Sequence, residues 1–245
     1  GTFASTFDLR ESIDQSLWPI RNQGSLNSCI PHGFASLIEY DFLAEGKSLS
    51  PLSPAYLYGL AKYLDKGNGM DYQYVDNGVT FQMVVKVLRA IGICSEKSAP
   101  YPTAAELNAT ELVKMRRINE RVNSITTKEA QTYFDNDFDP TTPGKLAFVT
   151  VNQDLATIKN HLSTFKRPIT FGLKMASTGL SAGRDGILKI VPDLNAVPGF
   201  GHCMVIVGWD DTQYSNTGAF LIRNTWGASW GQGGYCYIPY NYILD

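Results

Sequence analysis

Cys29 is the residue whose surroundings in this 245-residue chain point most directly to chemistry. It stands in the stretch Asn22-Gln23-Gly24-Ser25-Leu26-Asn27-Ser28-Cys29-Ile30-Pro31-His32-Gly33. Asn27 and Ser28 are good N-cap residues. Ile30, Phe34, Leu37 and Ile38 then fall on one face of a helix. Pro31 suits a first helical turn, where the N–H groups have no intrahelical partner. Cys29 is therefore predicted at a helix start, where backbone N–H groups and the positive dipole end favour a thiolate. Gln23-Gly24 reads as a turn that brings an uncharged amide donor near that sulfur. A lone cysteine is more often a small buried hydrophobe. An activated thiol beside a donor is what acyl transfer requires.

A thiol nucleophile needs a base. The chain holds three histidines, His32, His161 and His202. His32 lies on the helix of Cys29 itself, and His161 sits in a short charged helix that reads as surface. His202 occurs in Gly199-Phe200-Gly201-His202-Cys203-Met204-Val205-Ile206-Val207-Gly208, at the start of an apolar strand. From there an imidazole can take the thiol proton. Downstream comes Ile222-Arg223-Asn224-Thr225-Trp226-Gly227-Ala228-Ser229-Trp230-Gly231-Gln232-Gly233-Gly234-Tyr235. Asn224, at a strand end, can accept from one ring nitrogen of His202, and Trp226 can shield that bond from water. Read in isolation, these are a turn-forming asparagine and a core tryptophan.

The elements that must hold these groups follow from period and caps. A helix is predicted over roughly 28–44 and closed by Gly46. A second begins with Ser53 as N-cap and Pro54 at its first position. A third starts near Thr80, carries Phe81, Val84, Val85, Leu88 and Ile91 inward, and stops at Gly92. Residues 103–135 carry mixed charge and read as an exposed helix or an insertion. Asp139-Pro140-Thr141-Thr142-Pro143-Gly144 reads as a connection. Beyond it the period changes. Leu146–Val151, Ile169–Met175, Ile187–Val191, Cys203–Trp209, Ala219–Asn224 and Tyr235–Tyr240 are predicted strands, with a short helix near Asp154–Phe165. Helices first and strands second give an α+β class, with a cleft where the halves meet.

A net charge of −2 argues against nucleic acid or an anionic membrane as partner. No apolar run approaches membrane-spanning length. The four cysteines, Cys29, Cys94, Cys203 and Cys236, contain no C-x-x-C pair. With Cys29 as nucleophile an odd number remains, so no disulfide framework is predicted. Asn108-Ala109-Thr110 is a glycosylation sequon, meaningful only in a eukaryotic secretory setting.

These segments together resemble the papain family of cysteine peptidases. Gln23-Gly24 through Ser28-Cys29 is similar to the family's oxyanion glutamine and nucleophile segment. Gly201-His202 before an apolar strand resembles the catalytic histidine segment. Asn224-Thr225-Trp226-Gly227 with Trp230-Gly231 and Gly234-Tyr235 resembles the Asn-Ser-Trp-Gly box, and the order Cys, His, Asn matches. The resemblance spans about residue 7 to the end. It implies a papain-like, two-lobed α+β fold with the active-site cleft between the lobes. One domain over 1–245 is expected, with a helical lobe over about 18–140 and an antiparallel, β-barrel-like lobe over about 141–245.

The chain departs from the family pattern in identifiable places. Leu26 stands where the family's C-G-[SA]-C-[WY] segment has its first cysteine, Asn27 replaces glycine and Ile30 the aromatic. His202 and Asn224 lie 173 and 195 residues after Cys29, against about 130–150 in the family. The extra length is assigned to 103–143, and a divergent, bacterial-type branch is expected.

The implied function is cysteine-peptidase hydrolysis of a peptide or protein substrate through a thioester. Cys29 would be nucleophile, His202 base, Asn224 its orienting partner and Gln23 the oxyanion donor. Gly78, within Asp76-Asn77-Gly78, together with Gly172, Cys203 and Trp226, would line the substrate groove. No metal or organic cofactor is needed. An inhibitory pro-segment is a further expected partner, the chain is expected to be a monomer, and neither nucleic acid nor membrane is expected. Secretion or export is the expected localisation, with a lysosome-like compartment or a host cytoplasm as alternatives. Alternative activities are a deamidase, transferase or isopeptidase acting on one protein, an exopeptidase, and a binding module without turnover.

Overall fold

The computed structural model describes residues 2–48, 50–65, 69, 71–137, 148–175, 180–190 and 201–244, with side chains except at 133–137, 189 and 190. In chain order the helices are α1 (Cys29–Ala44), α2 (Pro54–Leu64), α3 (Phe81–Ala90), α4 (Ala104–Leu107), α5 (Glu111–Glu120), α6 (Ser124–Asp137), α7 (Leu155–Asn160), α8 (Gln213–Asn216) and α9 (Tyr240–Leu244). The strands are β1 (Thr6–Asp8), β2 (Ile169–Lys174), β3 (Ser181–Ala182), β4 (Leu188–Ile190), β5 (Gly201–Asp210), β6 (Ala219–Arg223) and β7 (Tyr235–Pro239). The chain divides into two compact units. A β-rich one comprises Gly1–Asn22, Ser36–Ser48 and Thr150–Asp245, and a helical one Gln23–Ala35 and Leu49–Val149.

In the β-rich unit most of the apolar runs pair into one antiparallel sheet ordered β1-β5-β6-β7, with β2 also on β5, while β4 pairs with β3 in a separate two-stranded sheet. β5 is buried along nearly its whole length, so its polar backbone must find partners on both edges. One edge is taken by β6, from Val205↔Arg223 to Asp210↔Ala219. The other is divided: β2 pairs its first half, including Gly172↔Cys203 and Leu173↔His202, and β1 its end, including Asp8↔Gly208. A register shift lies between Ile206 and Gly208. β1 comes so close there that a Cβ on Gly208 would sit 2.0 Å from the Phe7 carbonyl oxygen. The N-terminal segment is fixed further by Trp209, whose ring stacks on Phe7 at 4.8 Å and whose Nε1–H donates to the Ala4 carbonyl.

The same unit contains a fully buried cation. The Arg223 guanidinium donates to the carbonyls of Trp18 (2.9 Å) and Pro19 (2.7 Å) and to the Tyr235 hydroxyl (2.8 Å). It lies 3.8 Å from the centre of the Trp18 ring. Hydrogen bonds from Nη1 and Nη2 and a π face replace part of its hydration shell, while Nε is buried without a hydrogen-bond partner among the described residues. The end of β6 is thereby tied to the N-terminal segment.

In the helical unit α2 is buried from Pro54 through Lys62, the pattern of a helix enclosed on all sides. Ser53 caps it by accepting from the Tyr56 N–H, and Thr80 caps α3 by accepting from the Met83 N–H. Gly59 admits α5, since a Cβ there would lie 3.0 Å from the Ile118 carbonyl oxygen. The charged stretch after 103 forms α4, α5 and α6. α4 opens with a Thr103/Glu106 capping box, and Lys114, Met115 and Ile118 form a buried stripe along α5. Helix α1 starts at Cys29 and ends in a left-handed Gly46 (φ +70), with Lys47 N–H on Phe42 O and Gly46 N–H on Leu43 O. That is the Schellman pattern of helix termination.

Two expectations need adjusting. Residues 148–151, within the predicted strand Leu146–Val151, are irregular. The N-terminal segment, for which no strand is predicted, contributes β1 to the sheet. The predicted connection Asp139–Gly144 lies outside the described residues.

Gly208→Ala should cost at least about 3 kcal/mol of stability, because the added methyl displaces β1. Chemical denaturation measures this. A loss below about 1 kcal/mol would mean that β1 does not lie against this residue.

Candidate active site

In the helical unit, Cys29 is the first residue of α1, partly exposed and outside any disulfide. Ser28 precedes it, fully buried, with its carbonyl accepting the His32 N–H at 3.1 Å. Gln23 is also buried. Its side-chain Nε2 donates to the Leu26 carbonyl at 2.8 Å, and Gly24 turns the chain at φ +58. The amide is therefore held within the loop that leads to the sulfur. No sequence signal marks the residues that brace this loop. Tyr101 donates its hydroxyl hydrogen to the Gln23 carbonyl at 2.8 Å. Asp76 accepts the Asn27 N–H at 2.9 Å and the Tyr58 hydroxyl at 2.7 Å.

Gly78 belongs to this unit and is left-handed at φ +83, which suits glycine. Its N–H donates to the Tyr58 hydroxyl at 3.2 Å, and its carbonyl accepts from the Tyr72 hydroxyl at 3.2 Å. The neighbouring Asn77 accepts from Lys62 Nζ at 2.6 Å. Lys62 is buried against the face of the Tyr72 ring, with its nitrogen 3.3 Å from the ring centre. Burial lowers the Lys62 pKa to about 8. The Asp76-Asn77-Gly78 turn is thus pinned from below by Tyr58, Lys62 and Tyr72.

In the β-rich unit, His202 is the second residue of β5 and Asn224 directly follows β6. Pairing of the two strands brings their side chains together: His202 Nε2 lies 2.8 Å from Asn224 Oδ1. The backbone N–H of Thr225 donates to the same Oδ1 at 2.8 Å. That second bond identifies the acceptor end of the amide, so the hydrogen between the rings and the amide belongs to Nε2. Nδ1 is then the ring nitrogen with a lone pair, the tautomer a general base requires. Trp226 stacks on the His202 ring at 4.5 Å and 20°, and Trp230 meets Trp226 edge-on. His202 is only 6% exposed. Burial drives its pKa down to about 4, against the bond to Asn224, which acts in the opposite direction.

Gly172 and Cys203 face each other across the β2–β5 ladder. Gly172 is exposed. The Cys203 side chain is buried, with its sulfur 3.0 Å from the Thr170 hydroxyl. His161, read as a surface residue, is partly buried beside Phe165 at 5.3 Å. His32 is buried, with Nδ1 on the Ser28 carbonyl at 2.8 Å. Among the described residues no group of three or more His, Cys, Asp or Glu could hold a metal, and no helix is long and apolar enough to cross a membrane.

Known proteins with similar features agree with this chemistry. A family profile described as "Papain family cysteine protease" matches residues 3–243. An uncharacterized peptidase C1-like protein of Acanthamoeba polyphaga mimivirus is 25% identical over 245 residues, covering 98% of this chain and 70% of its own length. Falcipain-3 of Plasmodium falciparum is 24% identical over 228 residues, covering 89% of this chain and 37% of its own. Among solved structures, xylellain, a cysteine protease from Xylella fastidiosa, superposes with a TM-score of 0.72 at 21% identity, covering 100% of this chain and 82% of its own. A Carica candamarcensis cysteine protease in complex with E-64 gives 0.59 at 18% identity, covering 97% and 89%. The fold is papain-like, and the chain belongs to the papain family of cysteine proteases, a cysteine-type peptidase by class.

Proposed function

We propose that Cys29, His202, Asn224 and Gln23 are the catalytic residues of this peptidase. His202 Nδ1 takes the Cys29 thiol proton, and the thiolate sulfur attacks the scissile carbonyl carbon. The developing oxyanion accepts from Gln23 Nε2 and the Cys29 backbone N–H. The imidazolium then gives its proton to the leaving amine, and a thioester remains. Water, losing a proton to Nδ1, attacks the thioester, and the acid departs as the thiol is restored. Asn224 keeps Nε2 protonated and the ring oriented throughout.

The observation that carries this reading is the double acceptance at Asn224 Oδ1, which leaves Nδ1 as the base. It is supported by the position of Cys29 at the N-terminus of a 16-residue helix, where charge separation favours thiolate. The buried His202 ring favours the neutral form, so a facing thiolate is what would stabilise the imidazolium. Gly78, Gly172, Cys203 and Trp226 are proposed to border the bound peptide. For Cys203 only the backbone is available, because its side chain is in the core. A peptide or protein is the substrate class. An inhibitory pro-segment, export and a monomeric state belong to the same proposal.

Cys29→Ala and His202→Ala should each lower kcat by orders of magnitude on a fluorogenic peptide, and together cost little more than either alone. Gln23→Ala should lose about 2.7–4 kcal/mol of transition-state stabilisation. Unchanged turnover in any of the three would remove that residue from the mechanism.

The Cys29→Ala protein gives an independent test. With no thiolate available, the His202 ring should titrate well below its ordinary 6.5, towards about 4. Between those values the unfolded chain binds more protons than the folded one. His202 therefore contributes stability that is present above about 6.5 and lost as pH falls through about 4, at most roughly 3 kcal/mol. NMR titration of the ring measures the midpoint, and a value at or above 6.5 would contradict the burial described here.

A further inference from the structure

Behind the proposed nucleophile runs a chain of hydrogen bonds whose direction is fixed by its two ends. The Gln23 carbonyl can only accept, so the single hydroxyl hydrogen of Tyr101 goes to it, at 2.8 Å. Ser28 Oγ lies 2.6 Å from that same hydroxyl oxygen and must therefore be the donor. His32 Nδ1 lies 2.8 Å from the Ser28 carbonyl, which again can only accept, so Nδ1 carries a hydrogen. The same Nδ1 is 3.3 Å from Ser28 Oγ. The Ser28 and Tyr101 hydroxyl hydrogens thus both point from the first turn of α1 towards Gln23.

The anchor of this chain is rigid. Tyr101 stands between Pro100 and Pro102, which restrict its backbone. Its N–H donates to Glu96 Oε1 at 2.6 Å, and its ring meets the His32 ring edge-on at 4.9 Å. Burial raises the Tyr101 pKa, so the hydroxyl keeps its hydrogen at working pH.

We infer that Tyr101 is a positioning residue: by bonding Gln23 and Ser28 at once, its hydroxyl sets the oxyanion amide against the helix turn that carries Cys29. This rests on the proposed role of Gln23 as an oxyanion donor. Nothing in the reaction passes through Tyr101. Its work is to keep Gln23 Nε2 within hydrogen-bond reach of a charge that exists only in the transition state, where small displacements are costly.

The test is a double-mutant cycle on the full chain with Tyr101→Phe, Gln23→Ala and the pair, reading kcat and KM on a fluorogenic peptide. Iodoacetamide alkylation of Cys29 is followed in parallel, because that reaction develops no oxyanion. Gln23→Ala should lower kcat on the order of 10²–10³-fold. Tyr101→Phe should lower kcat on the order of tenfold with KM unchanged. The pair should be no worse than Gln23→Ala, and alkylation should stay within about twofold of the parent rate. The inference is overturned if the two losses multiply, if Tyr101→Phe leaves kcat unchanged, or if alkylation slows as much as turnover. Should Tyr101→Phe fail to fold, Ser28→Ala enters the same cycle, with a smaller loss of kcat expected and the same outcomes decisive. An unaltered kcat in Gln23→Ala is a separate failure: it ends the oxyanion assignment itself and takes this inference with it.

Discussion

A strand buried on both faces has to pair its backbone along both edges, and β5 is such a strand. That requirement governs the β-rich unit. β6 occupies one edge of β5, and β2 with β1 share the other. Because the β5–β6 register is fixed, His202 near the start of one strand and Asn224 just past the end of the other have no choice but to meet. The chemistry of the pair follows from the amide: one oxygen with two lone pairs, a backbone donor on one and an imidazole on the other. A neutral acceptor holds the ring without donating charge to it, so burial outweighs the bond to Asn224 and lowers the His202 pKa.

The helical unit meets a different demand. Cys29, the proposed nucleophile, sits on a helix end, where backbone N–H groups are available, and the preceding loop is braced without regular structure. The solution is a set of phenolic and carboxylate anchors. Tyr58 and Asp76 bind the Asn27 and Gly78 backbones, and Tyr101 binds Gln23. A loop held at so many backbone groups loses little further entropy when a substrate arrives.

Much of this was legible in the residues. Ser53 and Thr80 mark helix starts because their hydroxyls satisfy orphan N–H groups, and Gly46 marks a stop because only glycine takes that backbone at little strain. Cys29, Gln23, His202 and Asn224 stood out because each carries functional side-chain chemistry next to a capping or strand-end signal. What stayed hidden was long-range. Nothing in Thr6–Asp8 announces that it pairs with residues two hundred positions later, and Tyr101 has no local mark distinguishing an anchor from a core ring. The charged stretch after 103 concealed a short buried stripe of Lys114, Met115 and Ile118, too sparse for periodicity to separate from a solvated face. Residues 148–151 misled in the opposite sense, since Val149, Thr150 and Val151 favour strands but found no partner strand there.

Arg223 carries a consequence for how the molecule is assembled. Its carbonyl partners, Trp18 and Pro19, are separated from it by some two hundred residues. Until those carbonyls arrive, the end of β6 holds a guanidinium with only the Tyr235 hydroxyl and water to bond, and water has to leave before the sheet is complete. Trp18 and Pro19 are therefore needed to complete the end of β6. Such distant closure slows folding, so on a ribosome this sheet would wait for its C-terminal strands and then draw the N-terminal segment back onto itself.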